Sequence, residues 1–277
     1  MFENVDLEVL NMKTRITSAI VALLIIVPIL LYGRSIYNLT IYIISLFGLK
    51  EFIDIKESKR KTPDFIKFIS YIIMTLIVIG SPQSNELVFS MDYRIIAGLF
   101  MVYLLPTVLY HDSTKYNIND ALYLIGGMFF LGMSFHLLIV LRHNHFDLII
   151  YLFLITIMTD TFAYFTGYFI GRNKLLEDIS PKKTWEGLIG GTIMGVFTSS
   201  VFYLTVINPN IDITTLLIAT TFLSLVGQYG DLVFSGIKRY YKKKDFANIM
   251  PGHGGILDRL DSIIFVVLGY MFFISIL

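Results

Sequence analysis

Nine hydrophobic runs, most of them long enough to cross a bilayer as helices, constrain this chain more than any other feature. They cover roughly 16–33, 36–53, 65–80, 94–110, 121–141, 147–171, 185–207, 213–235 and 262–277. The composition agrees: 55% of the 277 residues are hydrophobic and only 16% are charged. An average soluble domain has about 45–50% apolar and about 25% charged residues, so that class is excluded. The absence of cysteine excludes disulfides and thiolate metal sites. The first fifteen residues, MFENVDLEVLNMKTR, carry acids before their basic pair, and no removable signal peptide is expected. The fold expected is an all-α, polytopic membrane bundle of about nine transmembrane helices.

Orientation follows from the basic residues. With a cytoplasmic amino terminus, only Arg34, Arg94 and Arg142 of the 22 Lys and Arg fall outside. The positive-inside rule expects such a bias. This topology places two polar loops, 172–184 and 236–261, on the cytoplasmic side. No repeat and no Pro/Gly/Ser linker divides the chain. It is expected to form one integral domain over 1–277, with amino-terminal spans over 1–141 and a functional half over 142–277.

The densest polar segment is SGIKRYYKKKDFANIMPGHGGILDRLD, Ser235 to Asp261. It holds Lys238, Arg239, Lys242, Lys243, Lys244 and Arg259, the carboxylates Asp245, Asp258 and Asp261, and His253 beside Gly254 and Gly255. Cations for phosphate oxygens, carboxylates for a divalent metal and glycines that admit backbone N–H groups to an anion together suit a bound polyphosphate. Asp258 and Asp261, three apart where the last helix begins, share a face. They would either complement the helix dipole or serve as first-choice Mg²⁺ ligands, since Mg²⁺ takes one or two carboxylates plus phosphate and water.

Two further carboxylates lie within spans. Asp160 costs about 2.5–3.5 kcal/mol at bilayer depth even on the lenient insertion scale, so it should face protein, water or an ion. Ala163, Gly167 and Gly171 follow it at four-residue spacing, and the next span carries Gly187, Gly191 and Gly195. Such small residues permit close helix packing, which is expected to turn Asp160 into the bundle and also allows a homodimer. Asp231 belongs to a polar stripe with Ser224, Gly227, Gln228 and Ser235 that runs into the basic loop. Together with Asp258 and Asp261, either Asp231 or Asp160 would permit a second cation.

The segment Ser180, Pro181, Lys182, Lys183, Thr184, Trp185, Glu186, Gly187 opens the seventh span. Hydroxyls and N–H groups at a helix start hold phosphate and paired lysines neutralise it, although Trp185 equally suits an interfacial anchor. The basic cluster over 50–67 is expected only to set topology. His143 and His145 are expected in a solvated turn.

The segment from Ser235 to Asp261 resembles the signature of the phosphatidate cytidylyltransferase family. Ser235, Lys238, Arg239, Lys244, Asp245, Ala247, Pro251, His253, Gly254, Gly255, Asp258, Arg259 and Asp261 fall on its polar, small and proline positions. Met250 stands where Leu, Ile or Phe is usual, a volume-conserving change. The Asp160 to Gly171 stretch and the Ser180 to Gly187 stretch are also similar to that family. The resemblance implies transfer of a cytidylyl group from CTP to phosphatidate, with Mg²⁺ held by Asp231, Asp258 and Asp261 and by Asp160 as a further candidate. It implies phosphate contacts from Lys238, Arg239 and Arg259, helped by Lys182 and Lys183, with Ser180, Thr184, Lys244, Gly254 and Gly255 binding substrate. His253 would donate to the leaving pyrophosphate or make a structural hydrogen bond. Lys242 and Lys243 would attract anionic headgroups or CTP. The expected partners are CTP, phosphatidate and anionic membrane lipids, with no nucleic acid, and the expected location is a bacterial cell membrane.

Two other classes compete. An ion-coupled transporter would use Asp160 and Asp231 but has no need of the HGG-x₂-DR-x-D run. Another CTP-dependent lipid phosphotransferase, such as a polyprenol kinase, is nearer. The D-x₂-D-G-x₂-A-R run of CDP-alcohol phosphatidyltransferases and the G-x₄-G-K-[ST] P-loop are both absent.

Overall fold

The structure, a computed structural model, describes residues 28–31, 34–79, 93–249 and 254–273. Among these, a helical turn at 28–31 precedes eight helices. They are α1 (Arg34–Glu57), α2 (Asp64–Ile79), α3 (Tyr93–Leu109), α4 (Ile118–Asn144), α5 (Phe146–Ile170), α6 (Trp185–Phe202), α7 (Ile213–Tyr240) and α8 (Leu257–Tyr270). A π-helical turn, Tyr203–Ile207, prolongs α6.

Five helices, over Ser35–Glu57, Ile118–His143, Phe146–Ile170, Trp185–Ile207 and Ile213–Tyr240, are long and apolar enough to cross a membrane. The runs at 65–80, 94–110 and 262–277 do form helices, but α2, α3 and α8 have only 16, 17 and 14 residues. A span of typical thickness needs about 20. The first expected span, 16–33, falls almost wholly outside the described residues.

Two local differences from the sequence reading have clear causes. The 172–184 loop contains an antiparallel hairpin of β1 (Lys174–Leu176) and β2 (Ser180–Thr184), so the chain is not purely α. α7 continues to Tyr240 rather than ending near 235. Its Lys238 and Arg239 occupy the last turn, where cations complement the helix dipole.

The chain divides into two compact units. The first comprises Met1–Ser81, Met91–Gly132 and Lys243–Arg259; the second comprises Pro82–Ser90, Met133–Lys242 and Leu260–Leu277. The segment Lys243–Arg259 groups with the amino-terminal helices rather than with the rest of 142–277.

In the first unit, α1 buries Leu49, Phe52 and Ile53. Phe52 stacks on Tyr123 of α4 with centroids 4.3 Å apart, and the Tyr123 hydroxyl donates to the Phe52 carbonyl at 2.9 Å. Lys56 is 3% exposed and pairs with Asp120 at 3.0 Å, while Arg60 reaches the same carboxylate at 3.1 Å. A buried charge left alone is strongly destabilising, so these two basic residues have structural partners beyond any topogenic role.

In the second unit, α5 and α6 pack through small residues in antiparallel register. A Cβ on Gly195 would strike Thr159, on Gly191 Thr159 and Ala163, and on Gly187 the Ala163 carbonyl. The packed stripe of α5 is therefore Thr159, Ala163 and Gly167. Asp160 lies beside it; its side chain stays open but turns toward Ser262 of α8 and the charges of Lys183 and Asp231, as expected of an acid that faces protein or an ion. The stripe is occupied within the chain, which removes the basis given for a homodimer. Gly191→Leu is expected to destabilise the protein by at least about 1–3 kcal/mol, the usual cost of overpacking. A lowered Tm in detergent would register this, and an unchanged Tm would contradict the seam.

Candidate active site

The second unit gathers the charged side chains of three segments. β2 runs into α6 through Thr184, the α6 N-cap, whose Oγ1 accepts from the Gly187 N–H at 3.1 Å. This cap fixes the end of the hairpin, and the preceding residue, Lys183, extends to α7. Its Nζ lies 2.8 Å from Asp231 Oδ2 and donates to the Gln228 carbonyl at 3.0 Å. Gln228 is itself anchored, with Nε2 donating to Thr192 Oγ1 at 2.9 Å. One turn beyond Asp231, the Ser235 hydroxyl donates to Asp231 Oδ1 at 3.3 Å. Arg239 Nε donates to the Ile179 carbonyl at 3.2 Å, a second tie between α7 and the hairpin.

Asp261 of α8 completes the cluster. Its carboxylate comes within hydrogen-bond reach of Asp231, and the charges of Asp160 and Lys238 act on it. Asp160 lies close enough to Lys183 and Asp231 to feel both charges and reaches the Ser262 hydroxyl. Lys238 is buried, with its charge acting on Asp231 and Asp261. Asp231 and Asp261 are half-buried, and Asp160 is open. Three carboxylates and two ammonium groups thus share a small region. Two carboxylates this close repel each other unless a positive charge lies between them, so the arrangement suits a cation and anionic oxygens.

Among the described residues, no three His, Asp or Glu side chains form a ready-made metal cage. Mg²⁺ needs no such cage, because it keeps waters and substrate phosphates in its shell and takes one or two protein carboxylates; Asp231 and Asp261 are the pair that could supply them. The donor set is all hard oxygen, also as Mg²⁺ requires.

The first unit holds the glycine-rich part of the polar segment. Asp258 Oδ2 accepts from the N–H groups of Gly255 and Phe246, each at 2.9 Å. Glu51 of α1, 1% exposed, accepts from the N–H groups of Ile256 at 2.7 Å and Leu257 at 2.8 Å. These N–H groups, including that of Gly255, are therefore engaged by protein carboxylates. The glycines have steric reasons as well. Gly254 has φ +82, and a Cβ there would lie 2.9 Å from Asp258 Oδ2; a Cβ on Gly255 would lie 2.6 Å from Glu51. Lys242, Lys243, Lys244 and Arg259 are exposed. Ser180 is half-buried and Lys182 exposed on β2. His253, Met250 and Pro251 lie outside the described residues. His145 lies exposed at the junction of α4 and α5, as expected, but His143 belongs to the last turn of α4 and is half-buried rather than in a solvated turn.

Asp231, Asp261, Asp160, Lys183 and Lys238 are thus brought together. Asp258 is engaged with its own loop instead. Sequence reasoning missed Glu51, Thr159 and Ser262. Glu51 alone left a signal, an acid on the apolar side of α1 between Leu49 and Phe52.

A cytidylyltransferase family model matches residues 13–277. The chain belongs to the cytidylyltransferase family. Among its relatives in that family, phosphatidate cytidylyltransferase of Staphylococcus haemolyticus (strain JCSC1435) is 38% identical over 261 residues, 92% of this chain and 96% of that protein. The phosphatidate cytidylyltransferases of Staphylococcus saprophyticus subsp. saprophyticus and Staphylococcus aureus (strain COL) are 37% and 36% identical with the same coverage. The match over 13–277 extends well beyond the motifs read in the sequence, which lie between Asp160 and Asp261, so the amino-terminal helices belong to the family's fold as much as the polar segment does.

Proposed function

We propose that this chain is a CTP:phosphatidate cytidylyltransferase, making CDP-diacylglycerol and pyrophosphate for phospholipid synthesis. A phosphate oxygen of phosphatidate attacks the α-phosphorus of CTP. The bond from that phosphorus to the bridging oxygen breaks, and pyrophosphate leaves with the electron pair. The nucleophile is already anionic, carrying about −1.5 to −2 charges if it behaves as other phosphomonoesters do. No strong general base is needed. The barrier is repulsion between two anions, and catalysis rests on positioning and charge neutralisation.

The single observation that carries this reading beyond family membership is the convergence of Asp160, Asp231 and Asp261 with Lys183 and Lys238. Lys183 and Lys238 bind and orient phosphate oxygens, with Lys182 and Arg239 contributing from the hairpin and the end of α7. Asp231 and Asp261, with Asp160, would hold Mg²⁺, which when bound supplies Lewis-acid neutralisation of phosphate charge. Asp258 organises its own loop.

We place the enzyme in a bacterial cell membrane with nine spans, the amino terminus and both polar segments facing the cytoplasm. The positive-inside bias supports this. In intact cells, cysteines introduced for Lys174 and Lys243 should resist an impermeant thiol reagent, and labelling at either would overturn the orientation. The function itself is tested by pyrophosphate release from purified protein in detergent. Release that requires CTP, phosphatidate and Mg²⁺ together is expected. Release with another lipid acceptor but not phosphatidate would point to a different phosphotransferase.

A further inference from the structure

Helix α8 starts without a cap of its own. The residue before Leu257 is Ile256, which offers no side-chain acceptor, although the first N–H groups of any helix need partners. Those partners come from α1: Glu51 takes the Ile256 N–H on one oxygen and the Leu257 N–H on the other. A local Ser would cap the helix start without burying any charge. The contact is also close. Glu51 leaves no room for a side chain at Gly255, and Asp258 fastens the same turn from its other side through Gly255 and Phe246.

We infer that Glu51 is a positioning residue for cytidylyl transfer, a buried carboxylate of α1 that, together with Asp258, fixes the backbone from Gly255 to Leu257 where α8 starts. It rests on the cytidylyltransferase reading. Glu51 touches no reacting atom; it acts through backbone N–H groups, and a displacement of about 1 Å at the chemistry is enough to cost about 10²-fold in rate.

The test uses the full chain in detergent and the variant E51Q, in which an amide NH₂ replaces one acceptor and faces an N–H donor. K56M serves as comparator. It removes the buried Lys56 of the same unit and is expected to lower Tm with kcat per folded molecule unchanged. For E51Q, kcat should fall about 10²-fold with KM for CTP little changed and Tm no lower than that of K56M. Amide hydrogen exchange at Ile256 and Leu257 should quicken. Should E51Q not accumulate, E51D, which keeps the charge but is too short to reach both N–H groups, is read in the same way. Wild-type kcat in E51Q, or a loss that only tracks folded protein as in K56M, would overturn the inference. Unchanged exchange at Ile256 and Leu257 would overturn it without reference to activity. An inactive wild-type protein would instead strike the proposed function.

Discussion

Asp261→Asn is expected to reduce turnover by on the order of 10³-fold or more while the protein still inserts and purifies. Asp261 is the α8 member of the carboxylate cluster, within hydrogen-bond reach of Asp231 and under the influence of Asp160 and Lys238. Its Oδ1 also accepts the Ser262 N–H at 2.7 Å, which fixes the carboxylate at the start of the helix. Asparagine keeps the volume and one acceptor, so folding should survive. The negative charge that would draw a divalent cation against Asp231 is lost. Electrostatic groups of this kind are commonly worth about 10²–10³-fold each when removed singly, and loss of a metal ligand adds to that. Steady-state rates with CTP and phosphatidate at saturating Mg²⁺ measure the effect. Full activity would remove Asp261 from the site.

The second large effect is expected at Lys183. Its ammonium spans from β2 to α7, 2.8 Å from Asp231 Oδ2 and 3.0 Å from the Gln228 carbonyl. Lys183→Ala should lower kcat/KM for CTP by about 10²-fold, the loss of a charge-neutralising group in an anionic transition state. It also leaves Asp231 without its nearest cation. Lys183→Arg should recover only part of the activity, because a planar fork does not replace a compact point charge at a fitted position. Measuring kcat/KM against CTP for both variants separates the outcomes. Unchanged kinetics in Lys183→Ala would leave the hairpin with no part in substrate binding.

Several features of the fold were legible because they depend on local pattern. Hydrophobic runs placed α1 to α8 within a few residues, and glycines at four-residue spacing marked the α5–α6 seam. The centre of the α5 stripe was not legible, because a spacing of four residues does not say which neighbour packs. That neighbour is Thr159, whose Oγ1 meets Ser224 Oγ at 2.8 Å. The β1–β2 hairpin was invisible for a different reason. Lys174–Leu176 and Ser180–Thr184 have no alternating apolar pattern, and their pairing is set by the short turn between them. Of the charged residues that cluster in sequence, Lys238 and Asp261 do come near Asp231, whereas Asp258 ties down its own loop. Contacts of long sequence separation were not. The Glu51 clamp joins residues 205 and 206 apart, and only the folded chain brings them together.

Transfer of the cytidylyl group itself to phosphatidate is decided by incubating purified protein with Mg²⁺, phosphatidate and CTP labelled at either the α- or the γ-phosphate. Label is expected in the lipid fraction from α-labelled CTP and not from γ-labelled CTP, with the γ label recovered in pyrophosphate. Lipid labelled from the γ position would instead identify a kinase.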